Sequence, residues 1–395
     1  MAPIPRLKAY EGPALLSYGF RPFFLFGALF AALAIALWLP QFFGELTLPN
    51  IFAPPVWHAH EMLFGFVPAV VTGFLLTAIP NWTGRLPLQG NPLLALLFAW
   101  LAGRVAVAAS GLIGWAPTML LDCAYLLVLG LVVAREIVAG KNWRNLKVLA
   151  ILTLLFAANM AFHIEAHETG AAVYSERVAI AATIGLIVLI GGRIVPSFTR
   201  NWLVRENPGR LPASADRLDI YLVGISAAAL AGWIVAPATL ATAVVMLAGA
   251  AAQIFRLARW VGWRAWRDPL VLVLHAAYFF IPLGFVLHAC AVLHPDMVSP
   301  SAGIHAWTIG AIGGMILAVM TRATLGHTGR ALQASRATVA IYLCLICSAV
   351  ARIAAAIYAS GANGFLYLAA AAWIAAFGIF AIIYGPYLSR ARGKN

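Results

Sequence analysis

The sequence predicts an all-α, polytopic integral membrane protein of about twelve transmembrane helices, with both termini on the cytoplasmic side. Three observations carry this. Of 395 residues, 63% are hydrophobic and only 10% charged. A soluble domain carries about 25% charged residues, so this chain has too few to wet a surface of its own. The apolar runs are continuous and about twenty residues long, which suits a helix crossing hydrocarbon and not the alternating strand of a barrel. The basic residues, finally, fall on loops of one parity.

The spans follow in order. Residues 22–40 form the first, behind a segment with Arg6, Lys8 and Arg21. Residues 55–80 form the second, after Pro54-Pro55, and Arg85 follows it. Residues 91–111 and 116–138 are the third and fourth, leading to Arg135, Lys141, Arg144 and Lys147. Residues 145–166 and 173–197 are the fifth and sixth; Arg193, Arg200, Arg205, Arg210 and Arg217 cluster there. Residues 217–235 and 237–259 are separated only by Val235-Ala236-Pro237, which also reads as a break within one helix. Arg256, Arg259, Arg264 and Arg267 come next. Residues 269–293 and 302–325 lead to Arg322, Arg330 and Arg336, and residues 336–358 and 364–387 to Arg390, Arg392 and Lys394. Outside this pattern stand only Arg104, Arg177 and Arg352. The basic side is expected in the cytoplasm. The net charge of +13 is therefore topological, and nucleic acid is excluded as a partner. The first 21 residues lack an apolar run ending in a small-residue cleavage site, so no cleavable signal is expected. Residues 1–395 read as a single transmembrane helical domain with no evident repeat.

The four cysteines lie in apolar spans and read as small core residues. Of the nine histidines, His58, His60, His163, His167, His288, His294 and His305 fall at or near the outer ends of spans. His275 lies in the inner half of the ninth, and His327 follows the tenth. Polar groups at membrane depth are costly. Imidazole suits copper, zinc and iron, and bundle cores build metal and haem sites from facing helices. The bland alternative is a wet position at the headgroups, which is favoured for His294. His163 and His167 share a helix face. His58 and His60 point nearly oppositely in a regular helix and reach one metal only if the backbone is irregular. Glu61 is expected to orient an imidazole or relay protons. His275 and His288 are thirteen apart, about 20 Å, but stacked haems would need partners at both depths. One outer site, with His275 serving separately, is the simpler expectation.

Arg21, Arg193 and Arg322 lie at inner ends of spans, as snorkelling anchors or as an anion site. Arg104 is nearer mid-span and needs a partner, for which Asp122 is a candidate. No phosphate-binding loop and no Ser-His-Asp arrangement appears.

Several stretches together resemble the NnrS family. They are Gly19-Phe20-Arg21-Pro22-Phe23-Phe24, Trp57-His58-Ala59-His60-Glu61-Met62-Leu63-Phe64-Gly65, Gly191-Gly192-Arg193-Ile194-Val195-Pro196-Ser197-Phe198-Thr199, and His305-Ala306 leading to Gly326-His327-Thr328-Gly329-Arg330. His275-Ala276-Ala277-Tyr278 is similar to the family as well. The resemblance implies a bacterial inner-membrane protein containing haem b and copper and tied to nitric oxide, denitrification and nitrosative stress.

The expectation is thus a membrane protein that binds or reduces nitric oxide, with metal ligands among His58, His60, His163 and His305. His275 and His288 are further cofactor ligands, and Glu61 is the candidate catalytic group. Its partners are lipid, nitric oxide and, for reduction, a quinol or periplasmic electron donor; the oligomeric state is open. The rivals are a haem or copper carrier, a nitric-oxide-binding protein without turnover, and a twelve-span transporter, whose site would lie at mid-membrane.

Overall fold

The computed structural model describes residues 10–358 and 360–391. Arg6, Lys8, Arg392 and Lys394 of the loop pattern lie outside the described residues. All regular structure among the described residues is helical, and twelve helices are long and apolar enough to cross a membrane. These are α1 (Phe20–Phe42), α2 (Pro54–Thr83), α3 (Asn91–Ala108), α4 (Trp115–Ala139), α5 (Trp143–Thr169), α6 (Val173–Glu206), α7 (Arg217–Val235), α8 (Leu240–Arg259), α9 (Pro269–Leu293), α10 (Pro300–His327), α11 (Arg336–Ile357) and α12 (Ala362–Ser389). Leu33, Phe98, Leu131, Ile220 and Ile382 are exposed along their helices. Water would not tolerate so apolar an exterior, and lipid does.

Local chemistry starts and stops the helices. Prolines sit in the first turns of α2, α3, α9 and α10, where their missing N–H costs nothing. Asp216 and Asp219 form a capping box on α7, and the Arg259 guanidinium holds the Asp216 carboxyl below its usual range. Thr239 caps α8 through the Thr242 N–H at 3.3 Å, so the doubtful stretch at 235–239 is a turn between two helices. The main departure from expectation is α6, which continues through Pro196 to Glu206. Just past Pro196, the Thr199 hydroxyl donates to the Val195 carbonyl at 2.8 Å. Beyond it Leu203 is buried, which gives the extension a packed face.

The chain divides into two compact units. The first comprises residues 1–179, 323–330 and 380–395. In it α1 packs on α2, α3 on α4, and α4 on α5. Small residues let α1 and α2 approach: Gly27, Ala28, Ala31 and Ala69 are buried together. The second unit comprises residues 180–322 and 331–379. There α8 packs on both α7 and α9, and α9 on α10.

Two helices are irregular. A π-helical segment spans Glu61–Phe66 in α2, and another spans Ala306–Gly313 in α10. Each begins directly after a histidine, His60 or His305. Pro55, His60 and Gly65 are spaced as are Pro300, His305 and Gly310. This short recurrence escapes a reading of the sequence for repeats, because little besides the proline, histidine and glycine is shared. Such π segments concentrate at functional sites.

Candidate metal centre

Four helices of the first unit build one buried polar cluster. α2 contributes His60 and Glu61, α3 Arg104, α4 Asp122, and α5 Asn159 and His163, all of them buried. Neighbours along a regular helix diverge by about 100°. The widened turn that starts at Glu61 lets His60 and Glu61 serve the same site.

His60 Nε2 stands 3.2 Å from His163 Nε2, 3.2 Å from Asp122 Oδ2 and 3.2 Å from Asn159 Oδ1. His163 Nε2 is 3.1 Å from the same Asp122 oxygen. The far nitrogen of His60, Nδ1, lies 3.0 Å from Glu61 Oε1. A carboxylate only accepts, so that nitrogen carries the proton. Arg104 joins both acids: Nη1 donates to Glu61 Oε1 at 2.6 Å, and Nη2 pairs with Asp122 Oδ1. The Asn159 amide nitrogen donates to Asp122 Oδ2 at 2.7 Å, which turns its oxygen toward His60.

Two glycines make this possible. A Cβ on Gly65 would stand 2.6 Å from Arg104 Nη1 and 3.1 Å from Glu61 Oε2. A Cβ on Gly103 would stand 3.0 Å from Asp122 Oδ1. Each glycine holds open the space that an ion pair fills.

With Nδ1 protonated, a neutral His60 turns the lone pair of Nε2 toward the Asn159 oxygen and the Asp122 carboxylate. Lone pairs converge there and repel. The formal charges agree, since one arginine faces two carboxylates. A buried net charge is expensive. A cation at the centre, whether a proton or a metal ion, answers both problems. The separations suit a metal ion: ligand atoms on a tetrahedral ion with bonds of about 2.0–2.1 Å stand about 3.3–3.4 Å apart. His60, Asp122 and His163 form a three-residue group with its donor atoms this close. Two imidazoles and a carboxylate suit copper, zinc or non-haem iron, and Glu61 on Nδ1 is the second acceptor that metal-bound histidines commonly have.

The NnrS protein family model matches residues 14–392. The chain belongs to the NnrS family. A search of curated proteins finds no match.

In this NnrS chain the Trp57–Gly65 stretch supplies His60 and Glu61 of the buried cluster, while Arg21 of another motif holds a helix end. Arg21 donates from Nη1 to the carbonyls of Tyr387, Leu388 and Arg390 at 3.3, 2.9 and 2.7 Å. It caps the end of α12. Phe20 packs on His327 with ring centroids 5.4 Å apart. In the second unit Gly192 leaves room for Arg256, whose Nη2 would meet any Cβ there. Arg256 is tied to Asp219, Gln253 and Tyr278 at 3.1, 3.2 and 2.7 Å, which makes that network a structural one.

Of the expected ligands, His60 and His163 meet. His58 faces away and stacks on Trp38, centroids 4.3 Å apart. Three lie in the second unit. His275 Nε2 is 2.8 Å from Thr199 Oγ1, a hydroxyl that donates to Val195, and its ring packs on Gly262. Its Nε2 is thus engaged by the Thr199 hydroxyl. His288 lies against Trp233 and Trp307, centroids 4.8 and 4.4 Å away. His305 Nδ1 donates to the Ser301 carbonyl at 2.8 Å. His167, partner of His163 in the expected pair, stacks on Trp115 instead.

Asp122 and Asn159 are the site residues that sequence reasoning missed. Asp122 was legible only as a partner for Arg104. The available signal for Asn159 was its place one turn before His163.

Proposed function

We propose that this member of the NnrS family binds nitric oxide at a copper ion held by His60, Asp122 and His163, with Asn159 beside it. The observation that carries the reading is the convergence of His60 Nε2, His163 Nε2 and Asp122 Oδ2 at 3.1–3.2 Å in a buried cluster one positive charge short. Copper would supply a redox-active centre with affinity for nitric oxide. Glu61 orients His60 through Nδ1 and is the group placed to hold a proton there. Arg104 keeps both carboxylates in position. The family and the twelve helices support a multi-pass membrane protein. The basic loops support placing it in the bacterial cytoplasmic membrane with both termini inside. A small apolar gas reaches such a site through the bilayer, and the setting is nitrosative stress or denitrification.

Turnover is the further step. Reducing two nitric oxide molecules to N2O takes two electrons and two protons, from a quinol or a periplasmic donor. The alternative is holding without turnover, as a copper carrier or nitric oxide trap, and the enclosed site favours it. Haem b is implied by the resemblance alone.

The experiment is metal analysis of the detergent-purified protein beside His163→Ala and His305→Ala. Wild type and His305→Ala should hold about one copper per chain, and His163→Ala less by at least about ten-fold. Equal copper in all three, or none in wild type, sinks the assignment. The Soret region of the same samples reads haem, and added nitric oxide reads an open site.

A further inference from the structure

Three phenylalanines wall His60: Phe64 and Phe162, with centroids 5.4 and 5.2 Å away, and Phe52, 5.5 Å away and within 20° of parallel. Phe52 also lies 5.7 Å from the His163 ring and 6.1 Å from Phe162. Its ring therefore covers both imidazoles. Phe64 and Phe162 are fixed within α2 and α5, and moving them means breaking helical hydrogen bonds. Phe52 belongs to the non-helical strap between α1 and α2.

That strap is held lightly and specifically. Ile51 N–H donates to Ser110 Oγ at 3.0 Å, and Gly111 N–H donates to the Pro49 carbonyl at 2.9 Å. The Phe52 N–H closes onto Asn50 Oδ1 at 2.9 Å, a local turn that aims the ring inward. A Cβ on Gly111 would stand 2.9 Å from the Pro49 oxygen, so glycine is what lets the strap seat. Among the described residues, two hydrogen bonds to the corner between α3 and α4 and the Phe52 ring tie the strap down. Few buried contacts and few hydrogen bonds mark a segment that opens locally.

We propose that Phe52 and its strap, residues 48–53, are the door of the His60–Asp122–His163 site, setting which ligands reach it and how fast its ion exchanges. This rests on the metal-centre reading for the ion, while the access route stands on the geometry of the strap. With the ring seated over both imidazoles, chelators and bulky ligands need it displaced.

The test uses the full-length protein in detergent. Copper-loaded wild type, Phe52→Ala, Phe52→Leu, Phe52→Trp and Ser110→Ala are reduced with ascorbate and mixed with bathocuproine disulfonate, and copper(I) removal is followed optically. Phe52→Ala should lose copper at least about ten-fold faster, since three ring contacts are removed. Ser110→Ala, which loses one strap hydrogen bond, should be about five-fold faster. Phe52→Leu should fall between wild type and Phe52→Ala, which separates a door from a fold defect, and Phe52→Trp should be no faster than wild type. A second arm needs no metal. Cysteine in Asn159→Cys is labelled with a small and a bulky methanethiosulfonate and read by peptide mass; Phe52→Ala should speed the bulky reagent more. Removal and labelling that ignore residue 52 overturn the door while leaving the copper assignment intact. No copper in any variant, with labelling that still depends on residue 52, overturns the copper assignment and keeps the door.

Discussion

His60 and His163, 103 residues apart in the chain, bring their Nε2 atoms to 3.2 Å. Two ring nitrogens at that distance share either a proton or an ion. Asp122 Oδ2, near both, adds a third donor atom and a negative charge that either cation would answer.

Asp122→Asn keeps the shape of the side chain and removes its charge. Arg104 is then left with one carboxylate in a buried setting. Copper should be lost, while stability without metal should fall by only about 0.5–1.5 kcal/mol for the hydrogen bond weakened, because Arg104 and Glu61 remain as a balanced pair. Metal analysis and thermal unfolding in detergent check the two parts separately.

Gly65→Ala puts a methyl 2.6 Å from Arg104 Nη1 and 2.8 Å from the Phe30 ring. The guanidinium must leave Glu61, and His60 loses its orienting acceptor. The expected result is copper affinity weaker by about 10–100-fold and a stability loss of about 1–3 kcal/mol, read by competition with a copper chelator and by unfolding.

His58→Ala should leave copper unchanged. The ring stacks on Trp38 and faces away from the cluster. The stack on Trp38 is lost, at a cost of about 0.5–1.5 kcal/mol. Copper loss equal to that of His60→Ala would place both histidines on one ion and overturn the assignment of His58 to a packing role.

Arg21→Ala removes the donor that caps α12. The carbonyls of Tyr387, Leu388 and Arg390 lose hydrogen bonds to a charged group, each worth about 1.5–3 kcal/mol. Hydrogen exchange should rise in the last turn of α12 while copper content stays at the wild-type value.

By itself the sequence determined the class, the number of helices and their approximate ends. These depend on local properties: apolar length, proline and capping residues. Even the turn at Val235-Ala236-Pro237 was visible as a choice between two readings. The Arg104–Asp122 pair was legible for a similar reason, because a charge inside an apolar span must find another and few were on offer. The π segments were not legible, since the proline–histidine–glycine spacing they share is too sparse to signal a widened turn on its own. Nor was the choice among nine histidines. All have the same chemistry, and depth along a helix says nothing of which neighbour a ring meets. Only the tertiary structure paired His60 with His163, turned His58 to Trp38, set Asn159 beside His60, and laid Phe52 over the site. Those outcomes depend on helix rotation and side-chain packing between distant segments, which composition and spacing leave free.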